Sequence, residues 1–199
     1  QNFGPSQIRL QVVSDKIIRV QATAEQSFRN KQSLIIVPQN SKANYKVEEQ
    51  GDNLIITTAA MRAVMNEATG QITFYDLKDN VLLNEVAQGG KTFKPFTVPD
   101  REMGVDIAKV PEAQKHGWSW RALFNSPDNE AFYGLGQHQS EELNMKGKNE
   151  DLFQYNTKVS VPFVISNKNY GILWDSYSYC RWGNPEDYLQ LNHAFKLYD

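Results

Sequence analysis

Phe132-Tyr-Gly-Leu-Gly-Gln-His-Gln139, then Gln154-Tyr-Asn-Thr157, then Pro162-Phe-Val-Ile-Ser-Asn-Lys-Asn-Tyr-Gly-Ile-Leu-Trp-Asp175 decide the reading of this chain. Gly134 and Gly136 allow a backbone to bend sharply and to approach another surface closely. They form no dinucleotide-binding fingerprint, because no third glycine and no helical pattern follow them. Beyond this turn the pattern is β, with strands expected at 161–166, 170–175, 178–182 and 188–198. The polar and aromatic stretch Leu152-Phe-Gln-Tyr-Asn-Thr-Lys158 reads as a loop bounded by strands.

The N-terminal half carries the same period. Gln7–Val13 and Lys16–Gln21 alternate around Ser14-Asp15, as a hairpin does. Ser33-Leu-Ile-Ile-Val37 is a short apolar run stopped by Pro38. Tyr45–Glu49 and Asn53–Thr58 flank Gln50-Gly-Asp52, and Met61–Asn66 and Gln71–Tyr75 flank Ala68-Thr-Gly70. Residues 87–117 break the rhythm with glycines and prolines and read as a long functional loop or an unrecognised strand. Trp118–Phe124 restores it. Strands at this spacing, without helical periodicity between them, indicate an all-β sandwich or barrel, here one domain of two packed sheets over 1–199.

Composition narrows the function. A formal net charge of −2 with scattered Lys and Arg gives no stripe for nucleic acid and no basic helix for a membrane surface. No apolar run approaches the roughly 20 residues of a membrane-spanning helix. The single cysteine, Cys180, forms no internal disulfide, belongs to no zinc-binding pattern, and reads as a buried structural thiol. No metal or cofactor is implied. The opening Gln1-Asn-Phe-Gly4 suits a mature terminus left after removal of a secretion signal, so an exported, periplasmic or cell-surface protein is expected.

Glycoside hydrolysis usually needs two carboxyl groups facing each other across a sugar. The adjacent acids Glu48-Glu49, Glu141-Glu142, Glu150-Asp151 and Glu186-Asp187 do not supply that, because neighbours on a strand point to opposite faces, and all four pairs read as solvated surface charge. No catalytic residue is assigned. His138, beside Gln137 and Gln139, can bond to sugar hydroxyls or can orient its own turn. Asn156 and Thr157 have the same two options. Trp118 and Trp120 share one strand face, Trp174 belongs to an apolar run and reads as core, and Trp182 beside Gly183 is the best candidate for a partly exposed ring.

Those three quoted segments, in their order and spacing, resemble the N-terminal β-sandwich domain of glycoside hydrolase family 31. Lys16-Ile-Ile-Arg-Val20, Leu54-Ile-Ile-Thr-Thr58 and Thr69-Gly-Gln-Ile-Thr-Phe-Tyr-Asp76 extend the likeness through the first half. Gln137 stands where many α-glucosidase relatives carry Glu, and the Gln-His-Gln form is similar to the α-xylosidase branch. The resemblance implies a galactose-mutarotase-like β-sandwich (supersandwich) packed on a downstream (β/α)8 barrel that carries the two reaction carboxylates. Such a barrel needs at least about 200 residues of its own and is not contained in this chain. The partners implied are that barrel, within the same polypeptide, and an oligosaccharide substrate. The enzyme so implied retains anomeric configuration and needs no cofactor or metal. It also implies that one loop reaches the rim of the active site, here Gln154 to Lys158, with Asn156 and Thr157 nearest the sugar and with Gln154 and His138 as further rim residues. The expected function is therefore a non-catalytic domain of an α-xylosidase or α-glucosidase, acting on xyloglucan-type oligosaccharides and inactive alone. A stand-alone carbohydrate-binding sandwich and a mutarotase-like enzyme are the alternatives.

Overall fold

The structure, a computed structural model, describes residues 2–29, 32–37, 43–88, 90–97, 106–138, 142–154, 156–176 and 178–183. Among them the regular structure is almost all strand, and the chain forms two compact units, one of residues 3–93 and 121–128, the other of 1–2, 94–120 and 129–199.

In the first unit, strands β1 (Gln7–Ser14) and β2 (Ile17–Thr23) pair as the expected hairpin. Next come β3 (Tyr45–Gln50), β4 (Asn53–Thr58), β5 (Arg62–Asn66), β6 (Ile72–Tyr75) and β7 (Val81–Glu85), all antiparallel. The turn from β3 to β4 has two residues, and Gly51 enters it at φ 58°, a backbone state that glycine adopts without cost. Alternation along these strands points Ile56, Ala63 and Ile72 to one buried face. A carboxylate lies in that interior. Glu85 accepts a hydrogen bond from the Ile72 amide at 2.8 Å and pairs with Lys91, whose ammonium also reaches the Gly70 carbonyl at 3.1 Å. Burial outweighs Lys91 and pushes the Glu85 carboxyl above the usual range.

The run Ser33–Val37 is not a strand: Ser33 Oγ accepts from the Ile35 and Ile36 amides and bends the chain into a turn. Within 87–117 lies a strand, β8 (Lys91–Thr97), which pairs with β9 (His116–Ala122). A short 3-10 turn at Ile107–Lys109 and one helical turn, α1 (Glu112–Lys115), stand between them. The chain crosses from one unit to the other within β8 and again within β9. A two-residue strand, β10 (Phe124–Asn125), completes a six-stranded sheet in the order β10-β7-β6-β5-β4-β3.

The second unit is built on β11 (Phe132–Gln137), β13 (Val159–Ser166) and β14 (Tyr170–Leu173), in the order β11-β13-β14. A small ladder of β12 (Glu150–Leu152) and β15 (Cys180–Trp182) accompanies it. Phe132, Leu135, Met145 and Val164 form the core, flanked by Leu152, Tyr170, Ile172 and Trp182. Trp182 is held within this packing, its ring edge-on to Phe132 and its indole N–H donating to the Met145 carbonyl at 3.0 Å. Trp118 and Trp120 do share the outer face of β9, where Trp120 stacks on Trp174. On the other face of β13, Val161, Phe163 and Ile165 are exposed, with Tyr133 and Leu173 beside them on the neighbouring strands. The expected strand at 188–198 lies outside the described residues.

Candidate functional site

The Gly-Leu-Gly segment is a bulge. Along β11 and β13 the pairing runs Phe132↔Ser166, Tyr133↔Ile165, Gly134↔Val164, then jumps to Gly136↔Ser160. Gly134, Leu135 and Gly136 all have positive φ, at 132°, 66° and 99°. The glycines are there because β13 is too close for a side chain. A Cβ on Gly134 would meet the Phe163 carbonyl oxygen at 2.5 Å, and one on Gly136 would meet that of Val159 at 2.1 Å. Between them Leu135 is driven into the core, almost fully buried. His138 folds back on this bulge, its Nε2–H donating to the Leu135 carbonyl at 2.7 Å. A carbonyl can only accept, so Nε2 carries the proton.

The other ring nitrogen of His138 looks inward. Its side chain is only 5% exposed, and Nδ1 lies 3.1 Å from Glu150 Oε1, close but without hydrogen-bond alignment. Glu150, the first residue of β12, turns its second oxygen toward the Lys158 ammonium at 3.3 Å. Lys158 is itself buried and also donates to the Asp151 carbonyl. His138, Glu150 and Lys158 thus lie in one row of polar side chains that ends in the Glu150–Lys158 ion pair. Asp151 points the opposite way, as strand alternation requires, and accepts from the Tyr179 hydroxyl at 2.6 Å and from Arg181 at 3.0 Å.

Residues 153–158 leave β12 and return to β13, and their neck is closed from both ends. Lys158 reaches back to Glu150 and Asp151, Ser160 N–H donates to Gln154 Oε1 at 3.0 Å, and Ser160 Oγ donates to the Phe153 carbonyl at 3.0 Å. At the tip Asn156 and Thr157 are exposed, and neither side chain bonds to another described residue. The four residues singled out from sequence therefore divide into two kinds. Asn156 and Thr157 face solvent with an amide and a hydroxyl available. Gln154 is exposed but its oxygen holds the loop, and His138 is interior and touches the bulge. Sequence reasoning did not find Glu150 and Lys158. The available signal was a lysine closing a polar loop that an acidic residue opens.

A second buried carboxylate stands beside the same sheet. Glu130 is 3% exposed and accepts from the Ser166 and Tyr170 hydroxyls, both at 2.6 Å. Burial and this carboxylate together push the Tyr170 phenol well above its ordinary range, so it stays protonated as a donor. The Cys180 thiol is likewise raised by burial and donates to the Ser178 carbonyl, which suits an inert structural thiol. Among the described residues no three His, Cys, Asp or Glu side chains gather as a metal site, and no helix is long and apolar enough to cross a membrane. Chemically, then, the exposed part of this region can bond to hydroxyl groups.

The family described as the glycosyl hydrolase 31 N-terminal galactose mutarotase-like domain matches residues 7–182. A family 31 α-xylosidase structure from Xanthomonas citri is 37% identical, with a TM-score of 0.78 over 94% of this chain and 19% of that one. A family 31 α-xylosidase from a soil metagenome, solved with xylose, is 28% identical, with a TM-score of 0.68 over 87% of this chain and 26% of its own. Among curated proteins, an α-xylosidase of Saccharolobus solfataricus is 25% identical over 88% of this chain. A family 31 glucosidase of Pseudescherichia vulneris is 26% identical over 85%. The chain spans 23% and 32% of the lengths of those two curated relatives.

Proposed function

The chain belongs to glycoside hydrolase family 31, as its N-terminal galactose mutarotase-like domain, and on that premise we propose that it is the non-catalytic part of a longer retaining α-xylosidase. In this reading the chain supports a downstream catalytic barrel and lends the loop Gln154 to Lys158 to the rim of the active site. Xyloglucan-type oligosaccharides are the substrates, and the chain alone is inactive. The observation that carries the reading is the presentation of Asn156 and Thr157, two exposed hydrogen-bonding side chains on a loop whose neck is closed by the buried Lys158 and by Ser160 with Gln154. A loop held in this way binds hydroxyls with little ordering entropy to lose. Likeness to α-xylosidases at 37% and 28% identity supports the substrate class. The outward apolar face of Val161, Phe163, Ile165, Tyr133 and Leu173 supports a seat against the rest of the polypeptide, since exposed patches of a few hundred Å² usually mark interfaces.

The test is kinetic. In the full-length polypeptide, Asn156→Ala and Thr157→Ala lower kcat/KM on xyloglucan oligosaccharides about two- to tenfold each, the effect of one neutral hydrogen bond. The loss on a small aryl α-xyloside is smaller, because the loop meets the leaving-group sugar and not the reacting carbon. Equal losses on the two substrates, or none on either, remove the loop from the binding site. Thermal melting run beside the kinetics separates this from a turn that only shapes itself, where stability falls and turnover per folded molecule holds.

A further inference from the structure

We propose that Lys158 is the positioning residue of the rim loop: its buried ammonium closes the loop's neck through Glu150 and the Asp151 carbonyl, and so sets the orientation in which Asn156 and Thr157 meet a sugar. The inference rests on the rim reading above and adds the device that makes the rim specific. An ammonium is costly to bury unless it is paired and hydrogen-bonded, and Lys158 is only 7% exposed. Both of its partners lie seven and eight residues back along the chain, on the strand from which the loop departs. The group therefore joins the exit of the loop to its entrance, and the residues between them, Asn156 and Thr157 included, are carried on a closed ring.

Two further features separate positioning from general support. Glu150 belongs to β12, where it pairs with Trp182 of β15. Its backbone is thus fixed independently of the loop, and Lys158 is the member that transmits its position to residues 153–158. The second closure, Ser160 to Gln154 and Phe153, is made of neutral bonds at the surface side of the neck. It ties Phe153 and Gln154 to β13 beyond Lys158 and leaves the placement of Lys158 itself to the ammonium's own bonds. Loss of the ammonium should then loosen Asn156 and Thr157 while β13, held by β11 and β14, keeps its pairing.

The experiment uses the full-length polypeptide with Lys158→Met, which keeps the aliphatic stem and removes the charge. Amide exchange at Asn156 and Thr157 should accelerate while that of β13 does not. On xyloglucan oligosaccharides kcat/KM should fall about tenfold, mainly through KM, with a loss of at most about twofold on an aryl α-xyloside. Adding Asn156→Ala to Lys158→Met should cost less than the product of the two single effects, since both act through one contact. Unchanged exchange at the tip, equal losses on the two substrates, or multiplicative effects would overturn the proposal. Should Lys158→Met fail to fold, Glu150→Gln weakens the same closure while leaving an acceptor for the ammonium, and it carries the same readouts. Failure of the rim reading looks different: Asn156→Ala then has no substrate-selective effect, whatever Lys158→Met does to exchange.

Discussion

Gly136→Ala is the substitution that most directly tests why the Gly-Leu-Gly segment exists. Two costs add at this position. The backbone has φ 99°, where an L side chain is strained, and such conformations cost of order 1–3 kcal/mol. The new Cβ would also stand 2.1 Å from the Val159 carbonyl oxygen and 2.9 Å from the Val161 amide, both backbone atoms that cannot rotate away. To restore van der Waals contact, β11 and β13 must part by roughly 1 Å, which weakens the bonds of the bulge and partly withdraws Leu135 from the core. Together these give a loss of about 3–5 kcal/mol, which at roughly 2–4 °C per kcal/mol for a chain of this size is a fall in Tm of about 6–20 °C. Two other glycines separate the contributions. Gly147 has φ 72° but nothing within 4 Å of its Cβ position, so Gly147→Ala carries the conformational cost alone. Gly117 has open space and no left-handed backbone, so Gly117→Ala should be near neutral. Urea and thermal unfolding of the three variants should rank them Gly136, Gly147, Gly117. A Gly136→Ala protein no less stable than Gly147→Ala would refute the close-approach argument.

Two other outcomes are expected. Lys91→Met leaves Glu85, 4% exposed in its side chain, without its counter-charge in the interior of the first unit, and breaking such a buried pair costs about 3–5 kcal/mol in urea unfolding. Because the folded-state value of Glu85 is raised, the native protein holds the proton longer than the unfolded chain as pH climbs. Stability from this group therefore declines as pH rises from the ordinary carboxylate range through the raised folded value, and Lys91→Met extends that decline upward; a variant whose stability gap to wild type is flat from about pH 4 to about pH 8 would contradict it. Purified chain should release no aryl group from aryl α-xylosides or α-glucosides, and turnover that survives repurification and vanishes when a carboxylate of this chain is mutated would sink the non-catalytic reading.

Much of the strand order was legible because two signals coincided, alternation and turn chemistry. Gln50-Gly-Asp52 between alternating runs holds the two-residue β3–β4 turn, and the β1–β2 turn falls at Asp15-Lys16, one residue past the expected Ser14-Asp15. Where one signal stood alone, the reading stayed open. Pro95 lies inside β8, and a proline within a run argues against a strand, yet it sits on an exposed stretch of a two-stranded ladder where its missing N–H is tolerated. Ser33–Val37 has the composition of a strand, but Ser33 Oγ captures the amides of Ile35 and Ile36 and turns the chain instead. Local side-chain bonding of this sort competes with ladder formation and leaves no trace in apolar periodicity.

The site shows the same division, and shows where a pattern can be right while its energetic conclusion is not. Glu150-Asp151 reads from sequence as two charges on opposite faces of a strand, both in water. The opposite faces are there: Glu150 turns to His138 and Lys158, and Asp151 to Tyr179 and Arg181. Water is largely not, with the two side chains 18% and 32% exposed. Alternation is a property of the backbone and is written in the local sequence. Solvation depends on what the rest of the chain places over each face, and here Tyr179 and Arg181 arrive from some thirty residues downstream. Lys158 was hidden for the same reason, since its role depends on a loop returning to its own starting strand. The exposed tip residues needed no such information. Asn156 and Thr157 are short, polar and flanked by strands, and those are local properties. The loop is thus half readable in advance: its exposed hydrogen-bonding groups are, and the buried ammonium that closes its neck is not.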